Sequence, residues 1–178
     1  MRSQDRIALC EANADERAAL IAALGRDRRL SIVGTDGYVA VNAYVPPKER
    51  RGLVLIDPPF EAPDEASSIV RAVERALRKW PTGIYIVWRP IRDARGDARF
   101  LNAVAAFGAP NIMRLELDVG PSAIVAHGQE PLRRAGLLVI NPPHLLVDEA
   151  QTLLPWLAQT LVRHGEGEHR CDWLTEPK

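Results

Sequence analysis

The stretch Leu53-Val54-Leu55-Ile56-Asp57-Pro58-Pro59-Phe60 decides the fold. Its four apolar residues show no polar alternation, which predicts a parallel strand that is covered on both faces. A proline has no N–H to donate to a sheet ladder, so the strand should stop at Asp57. Each proline also restricts the residue before it to extended geometry, which stiffens the turn. The stretch therefore predicts a buried strand that holds an acid and an aromatic ring in fixed positions at its end.

Outside this stretch, predicted strands alternate with predicted helices. Apolar residues at helical spacing lie between most of the strands, and the last two strands should form an antiparallel hairpin. This order is typical of the second part of a doubly wound α/β sheet. We expect one domain at residues 1–163 and a polar tail outside the core at residues 164–178. The other predicted strands lie at residues 7–10, 30–33, 84–88, 112–119 and 136–140.

The composition is that of an ordinary domain with enough apolar residues for a core. The 178 residues are 47% hydrophobic, with 23 basic and 23 acidic side chains. Net charge near zero gives no overall attraction to nucleic acid, so RNA binding would need a local basic patch. The two cysteines, Cys10 and Cys171, are too few for a disulfide scaffold, which favours a cytoplasmic protein. No apolar run approaches the ~20 residues of a membrane helix, and we expect no membrane partner.

The Asp57-Pro58-Pro59-Phe60 sequence fits the methylation of an exocyclic amino group on a nucleobase. Such a nitrogen is a poor nucleophile, because its lone pair is delocalised into the ring. The Asp57 carboxylate and the Pro58 carbonyl can accept its N–H hydrogens and favour a pyramidal nitrogen, while Phe60 stacks on the extruded base. The four residues resemble the Asp/Asn-Pro-Pro-aromatic signature of amino-methyltransferases that use S-adenosylmethionine. The alternative is that Asp57 ends the strand and caps the next helix.

Two further acids follow predicted strands, where a parallel sheet binds its ligands. Glu11 is a candidate to bind the ribose hydroxyls of a methyl donor. Asp36 is a candidate to bind the adenine amino group of the donor, with Gly37 allowing close approach of the backbone. For each residue alone, a role in a turn or a helix cap explains the sequence equally well.

The same acids also resemble those of a phosphoacceptor receiver domain, in which Asp57 would accept a phosphoryl group. That interpretation requires an acidic pair after the first strand, whereas Cys10-Glu11 supplies one acid. It also requires Ser or Thr where Trp88-Arg89 stands, and Lys-Pro where Asn141-Pro142 stands. The mismatches make the receiver the less favoured alternative.

Asn141-Pro142-Pro143-His144 is a second near-match to the signature. It has His in place of the aromatic residue and follows the last strand of the predicted hairpin. We interpret it as a structural strand terminator.

His164, His169 and Cys171 lie in a polar segment without a suitably spaced fourth ligand. The sequence therefore predicts no metal site.

Basic residues cluster after the predicted strand that ends at Trp88. On the ligand edge of the sheet, such a cluster is a candidate to bind RNA phosphates. The alternative is an ordinary solvated face. The residues concerned are Arg89, Arg92, Arg95 and Arg99.

Four blocks of sequence carry a resemblance to a known family. They are 50–61, Pro81-Thr82-Gly83-Ile84-Tyr85 with Trp88 and Pro90, Gly136 to Pro143, and Leu154-Pro155-Trp156-Leu157. Together they resemble the RlmJ-type 23S ribosomal RNA adenine-N6 methyltransferases. The resemblance implies a class I, Rossmann-like fold, S-adenosylmethionine as cofactor without a metal, and ribosomal RNA as substrate. It assigns catalysis to Asp57, Pro58, Pro59 and Phe60, and donor contacts to Glu11, Asp36, Gly37 and Asp57.

The chain departs from the family pattern at its N-terminus. Family members carry a longer N-terminal part with the first strand and a glycine-containing donor loop, whereas this sequence begins just before the second strand. We therefore expect an interrupted sheet and half a donor pocket, in a fragment, a truncated product or a chain completed by another segment or second chain. The alternative function is that of a non-catalytic α/β domain, either receiver-like or a methyltransferase remnant.

Overall fold

The computed structural model describes residues 2–49, 51–60, 62–121 and 131–177. The chain forms two compact units, Met1–Val45 and Pro46–Lys178. The boundary at Val45 differs from the predicted domain of residues 1–163, since it falls inside that range. No helix of the described residues is long and apolar enough to cross a membrane.

The first unit contains two parallel strands and two helices. Ile7 of the first strand lies opposite Leu30 of the second, and Cys10 lies opposite Val33. The Asn13 side chain accepts hydrogen bonds from two backbone N–H groups of the first helical turn and so caps the first helix. The elements are β1 (Ile7–Cys10), α1 (Ala14–Leu24), β2 (Leu30–Val33) and α2 (Gly37–Tyr44).

The described residues of the second unit form a five-stranded sheet and three helices. The strand order is β3-β4-β6-β5-β7, in which β3 and β4 are parallel and the other pairs are antiparallel. The predicted antiparallel hairpin of β5 and β6 is therefore confirmed. The elements are β3 (Leu53–Ile56), α3 (Glu65–Lys79), β4 (Ile84–Pro90), α4 (Ala94–Ala105), β5 (Ile112–Asp118), β6 (Arg134–Ile140), α5 (Leu146–Leu161) and β7 (Glu168–Thr175).

The expected interruption of the sheet is present. No ladder among the described residues joins β1 and β2 to the five-stranded sheet. As a result β3 is an edge strand, and Leu53 and Leu55 are 54% and 62% exposed. The prediction that both faces of this strand are covered was wrong for the described chain, because only Val54 and Ile56 turn toward the interior.

The predicted polar tail was wrong, because β7 pairs with β5 along its length. Its charged residues made the segment look solvent-exposed throughout. They have cross-strand partners, since Arg114 of β5 donates to the Asp172 carboxylate at 2.8 and 2.7 Å. On the other face of β7, Cys171 and Trp173 pack against the apolar core.

Residues of β5 alternate between the two faces of the sheet. Met113 and Leu115 face α5, where they join an apolar cluster with Val139 and Leu154. Arg114 and Glu116 occupy the opposite face, which consequently carries buried charges next to apolar side chains.

Glu116 belongs to a buried ion-pair group that ties β4, α4 and β5 together. Arg89 is 2% exposed, and its guanidinium donates to Asp97 of α4 and, at 2.5 Å, to Glu116. The Glu116 carboxylate also accepts a hydrogen bond from Arg134 at 2.5 Å. Gly136 leaves room for this group, since a Cβ there would come within 3.0 Å of Arg89 Nη2. Removing one partner would leave a buried charge without compensation.

We expect Glu116→Ala to lower the free energy of unfolding of the second unit by about 3–5 kcal/mol, because it leaves the Arg89 charge undercompensated. Urea unfolding followed by tryptophan fluorescence measures this unit selectively, since Trp80, Trp88, Trp156 and Trp173 all lie in it.

The matched control is Glu74→Ala, which breaks a pair with Arg78 on the exposed side of α3. This change should cost no more than about 0.5 kcal/mol. Equal losses for the two variants would contradict a structural role for the buried group.

Candidate active site

Asp57 follows β3 at the edge of the sheet where β4 also ends. The two strands run parallel, with Ile56 opposite Val87. Asp57 is exposed, and no hydrogen bond joins its carboxylate to another described residue. Both carboxylate oxygens are therefore open to N–H donors from outside this part of the chain.

Phe60 adopts a backbone conformation that is rare for an aromatic residue. Its φ is 55°, in the left-handed region, and such outliers cluster at functional sites. The Phe60 ring makes an edge-to-face contact with Trp88 of β4, with centroids 5.8 Å apart and planes at 66°. Sequence reasoning singled out Phe60 but missed this role for Trp88. The sequence did contain a signal for this contact, because Trp88 is an aromatic residue near the carboxyl end of β4, and β4 pairs with the strand that precedes Asp57.

In the first unit, Glu11 and Asp36 follow β1 and β2 as predicted, and both make local hydrogen bonds. Glu11 Oε1 accepts from the backbone N–H of Asn13 at 2.7 Å. Asp36 Oδ1 accepts from the N–H groups of Tyr38 and Val39 at 2.8 and 3.0 Å, which caps α2. Glu11 therefore stabilises the turn after β1, and Asp36 caps α2. Each carboxylate keeps a second oxygen that accepts no hydrogen bond from the described residues.

Sequence reasoning also missed Arg17, which lies at the carboxyl ends of β1 and β2. Its guanidinium donates to the Glu11 carbonyl at 3.1 Å. A Cβ at Gly34 would come within 2.8 Å of the guanidinium carbon, so glycine leaves room for Arg17. At Gly37, by contrast, a Cβ would meet no atom within 4 Å. No contact among the described residues therefore requires glycine at the start of α2.

The four arginines predicted to bind RNA divide into two groups. The prediction for Arg89 was wrong, because that side chain is 2% exposed and is paired with Asp97 and Glu116. In the sequence, Arg89 stands close to arginines that are exposed. Its partners Asp97 and Glu116 lie 8 and 27 residues further along the chain, so the sequence did not indicate that Arg89 is buried. The other three arginines are exposed, and no hydrogen bond or ion pair joins their guanidinium groups to a described residue. They are Arg92, Arg95 and Arg99.

Ion pairs lower the pKa values of two buried acids, Glu116 and Asp118. Burial acts to raise the pKa of Glu116, but hydrogen bonds from Arg89 and Arg134 outweigh it and hold that pKa below its usual value. Burial likewise acts to raise the pKa of Asp118, and it is outweighed by hydrogen bonds from Arg133 and the Gly120 backbone N–H. Both groups are therefore more acidic in the folded chain than in the unfolded chain.

Asn141 of the second Pro-Pro sequence has a structural role, as predicted. Its side-chain amide donates to the carbonyls of Pro81 and Gly83, each at 2.8 Å. Its backbone N–H donates to the Asn111 carbonyl at 3.0 Å. These bonds fix the turn before β4 and satisfy the amide donors, in contrast to the open carboxylate of Asp57.

A charged cavity of about 260 Å³ lies at the ends of β5, β6 and β7, away from the Pro-Pro motif. Glu116 and Arg134 of its lining are paired with each other, whereas Asp118 and Arg170 are paired with Arg133 and Asp172 outside the lining. Among the described residues, no group of three or more His, Cys, Asp or Glu side chains is arranged to bind a metal ion. The residues lining the cavity are Glu116, Asp118, Arg134, Glu168, His169 and Arg170.

Comparison with known proteins identifies the family of the chain. A family model described as "Ribosomal RNA large subunit methyltransferase D, RlmJ" matches residues 1–175. The chain belongs to the RlmJ family. The resemblance inferred from the sequence blocks is thereby confirmed, together with the α/β fold class of these methyltransferases.

Individual relatives match nearly the whole chain. Ribosomal RNA large subunit methyltransferase J of Haemophilus influenzae is 35% identical over 175 residues, which cover 98% of this chain. The protein of the same name from Escherichia coli K12 is 31% identical over 174 residues. The chain spans 61% of the length of each of these curated relatives.

A crystal structure shows the same fold. Protein LPL1258 of Legionella pneumophila is 32% identical and superposes with a TM-score of 0.86. The match covers 97% of this chain and 62% of that protein. The RlmJ chain described here therefore shares its fold with a corresponding part of a longer relative.

The lowered pKa values predict acid-induced loss of stability in the second unit of this RlmJ chain. A depressed folded pKa contributes stability above the unfolded pKa, which is about 4 for these carboxylic acids, and loses it as pH falls through the folded pKa. The free energy of unfolding should therefore fall below about pH 5. Asp118→Asn, which can still accept the Gly120 N–H, should reduce this slope. Urea unfolding at pH 7, 5 and 4 measures it, and identical pH curves for variant and wild type would contradict the assignment.

Proposed function

We propose that this chain carries the catalytic part of an enzyme that methylates N6 of an adenine in 23S ribosomal RNA. The observation that carries the proposal is the exposed Asp57 carboxylate, which follows β3 ahead of two prolines and has no hydrogen-bond partner among the described residues. Membership of the RlmJ family supports methylation of large-subunit ribosomal RNA. The choice of an adenine N6 rests on the chemistry of the motif.

In the proposed reaction, Asp57 and the carbonyl of Pro58 accept the two hydrogens of the adenine N6 amino group. Both are acceptors, so they fit an amine and would not fit a ring nitrogen that carries a lone pair alone. As the new N–C bond forms, the methyl group leaves the sulfur that carried it and positive charge grows on N6. The neighbouring Asp57 carboxylate stabilises this charge until one N6 proton is released to solvent. Pro59 keeps the turn rigid, and Phe60 stacks on the adenine ring.

The proposed cofactor is S-adenosylmethionine, which supplies an electrophilic methyl group when bound. The available carboxylate oxygens fit it, because its ribose hydroxyls and adenine amino group are hydrogen-bond donors. We assign the ribose to Glu11 and the amino group to Asp36, each through the oxygen that makes no local hydrogen bond. Gly37 would let the backbone approach the donor.

We expect Asp57→Ala to reduce methyl transfer from labelled S-adenosylmethionine to fragments of 23S ribosomal RNA by about a hundredfold or more, the usual cost of removing a group that stabilises developing charge. His144→Ala is the matched control. It alters the exposed fourth residue of the other Pro-Pro sequence and should leave transfer unchanged.

Calorimetric titration of S-adenosylmethionine separates donor binding from transfer. Asp36→Ser keeps an oxygen that can cap α2 but removes the second carboxylate oxygen, so it should weaken donor binding without unfolding the first unit. A wild-type chain that neither binds the donor nor transfers methyl would overturn the proposed function. Labelling of Asp57 by a small phosphodonor would then favour the receiver alternative.

We further propose that Arg92, Arg95 and Arg99 bind phosphates of the RNA. Two acids lie close to these arginines in the sequence, and each has another partner. Asp93 accepts hydrogen bonds from the N–H groups of Arg95 and Gly96 and so caps α4. Asp97 is paired with the buried Arg89. Among the described residues, the three exposed arginines therefore have no carboxylate paired with their guanidinium groups, and they follow β4 at the edge of the sheet that carries Asp57.

The double variant Arg95→Ala/Arg99→Ala should bind ribosomal RNA fragments more weakly and reduce the slope of log affinity against log salt by about 1.5–2, since each phosphate contact releases about one counterion. Fluorescence anisotropy at several salt concentrations measures both quantities.

The matched control is Arg71→Ala/Arg75→Ala, which removes two exposed arginines at the same spacing on α3. Its salt slope should equal that of the wild type. Equal slopes for all three proteins would contradict phosphate binding by the α4 arginines.

A further inference from the structure

Trp88 is anchored on a strand that is paired on both sides. Its neighbour Val87 lies opposite Ile56 of β3, and Trp88 itself lies opposite Leu137 of β6. Because side chains alternate along a strand, Trp88 shares a face with Ile86, which packs against the apolar cluster under α5. The backbone of Trp88 is therefore fixed by two ladders and by the core.

The segment from Asp57 to Phe60 is held in a different way. No hydrogen bond or ion pair among the described residues involves any of its four residues. Its last residue has a φ of 55°, which local sterics disfavour for a side chain of this size. The interaction that the structure shows for this end of the segment is the edge-to-face contact of Phe60 with Trp88 at 5.8 Å.

From this arrangement we propose that Trp88 is a positioning residue that holds the Phe60 ring in the orientation required to stack on the target adenine. The inference rests on the proposed function and adds a residue to it. Edge-to-face pairs are favourable at this separation because the positive ring edge of one partner meets the negative face of the other. Stacking uses a ring face, so a fixed ring plane lets Phe60 accept the base without first becoming ordered.

A double-mutant cycle tests the proposal without requiring methyl transfer. The probe is a ten-nucleotide single-stranded oligoadenylate with 2-aminopurine at its centre, whose fluorescence falls on stacking, bound to the full chain in the presence of S-adenosylmethionine. The variants are Phe60→Leu, Trp88→Leu, their combination and Trp88→Phe. Trp156→Leu is the matched control, since that indole is 57% exposed on α5.

We expect Phe60→Leu to weaken binding about tenfold, in line with the loss of one base stack. Trp88→Leu should weaken it about fivefold, and the combination should bind no more weakly than Phe60→Leu alone, because Trp88 acts through Phe60. Trp88→Phe retains an aromatic partner and should restore binding to within about twofold of the wild type. Trp156→Leu should have no effect.

Multiplicative losses in the combined variant, or no loss in Trp88→Leu, would overturn the role of Trp88 while leaving the proposed function intact. Circular dichroism melts identify variants that fail to fold. If Trp88→Leu does not fold, Trp88→Met replaces it in the cycle, since a merely structural defect at this position would not depend on Phe60. A wild-type chain that does not bind the probe would overturn base binding by this motif, and the inference with it.

Discussion

The buried charge of Arg89 is the constraint around which the second unit is arranged. A guanidinium that is 2% exposed requires carboxylates on more than one side. Asp97 supplies one from α4 and Glu116 supplies another from β5. Gly136 on β6 lies next to the guanidinium of Arg89, and the side chain of any larger residue would contact it too closely. The requirement for compensation thus fixes a helix and two strands relative to the end of β4.

At the end of β4, consecutive residues therefore lie on opposite faces of the sheet. Side chains alternate along the strand, so Arg89 is directed toward α4 while its neighbour Trp88 lies on the opposite face. The pair of Arg89 and Asp97 sets the first turn of α4. Arg95 of this turn and Arg99 one turn later extend into solvent. Trp88 contacts Phe60 beyond the end of β3. Phosphate binding and base stacking, as proposed, would therefore both depend on the placement of two consecutive residues.

Part of this arrangement follows from sequence and part does not. The strand that ends at Asp57 and the hairpin of β5 and β6 were predictable, because prolines and apolar patterns are local signals. The burial of Arg89 was not, since its partners lie 8 and 27 residues away and an arginine among arginines looks exposed. The β7 strand was missed for a related reason, because its charges are neutralised by Arg114 only after the sheet has formed. The exposure of Leu53 and Leu55 depends on the position of β3 at the edge of the sheet, and the residues of β3 alone do not determine that position.

The two Pro-Pro sequences have similar residues but differ in the hydrogen bonds that their first residues make. Both end strands of the same sheet, but β3 runs parallel to β4 and β6 runs antiparallel to it. Asp57 is therefore placed at the carboxyl edge of the parallel pair, whereas Asn141 is at the opposite edge beside the turn that precedes β4. The donors of the Asn141 amide are satisfied by two carbonyls, so this residue stabilises the fold. The Asp57 carboxylate has no such partner among the described residues, and an exposed acceptor on a rigid turn can bind an amine without first breaking a bond within the protein. The same reasoning separates Arg89, whose hydrogen bonds join β4 to α4 and β5, from Arg95 and Arg99, whose guanidinium groups have no partner among the described residues.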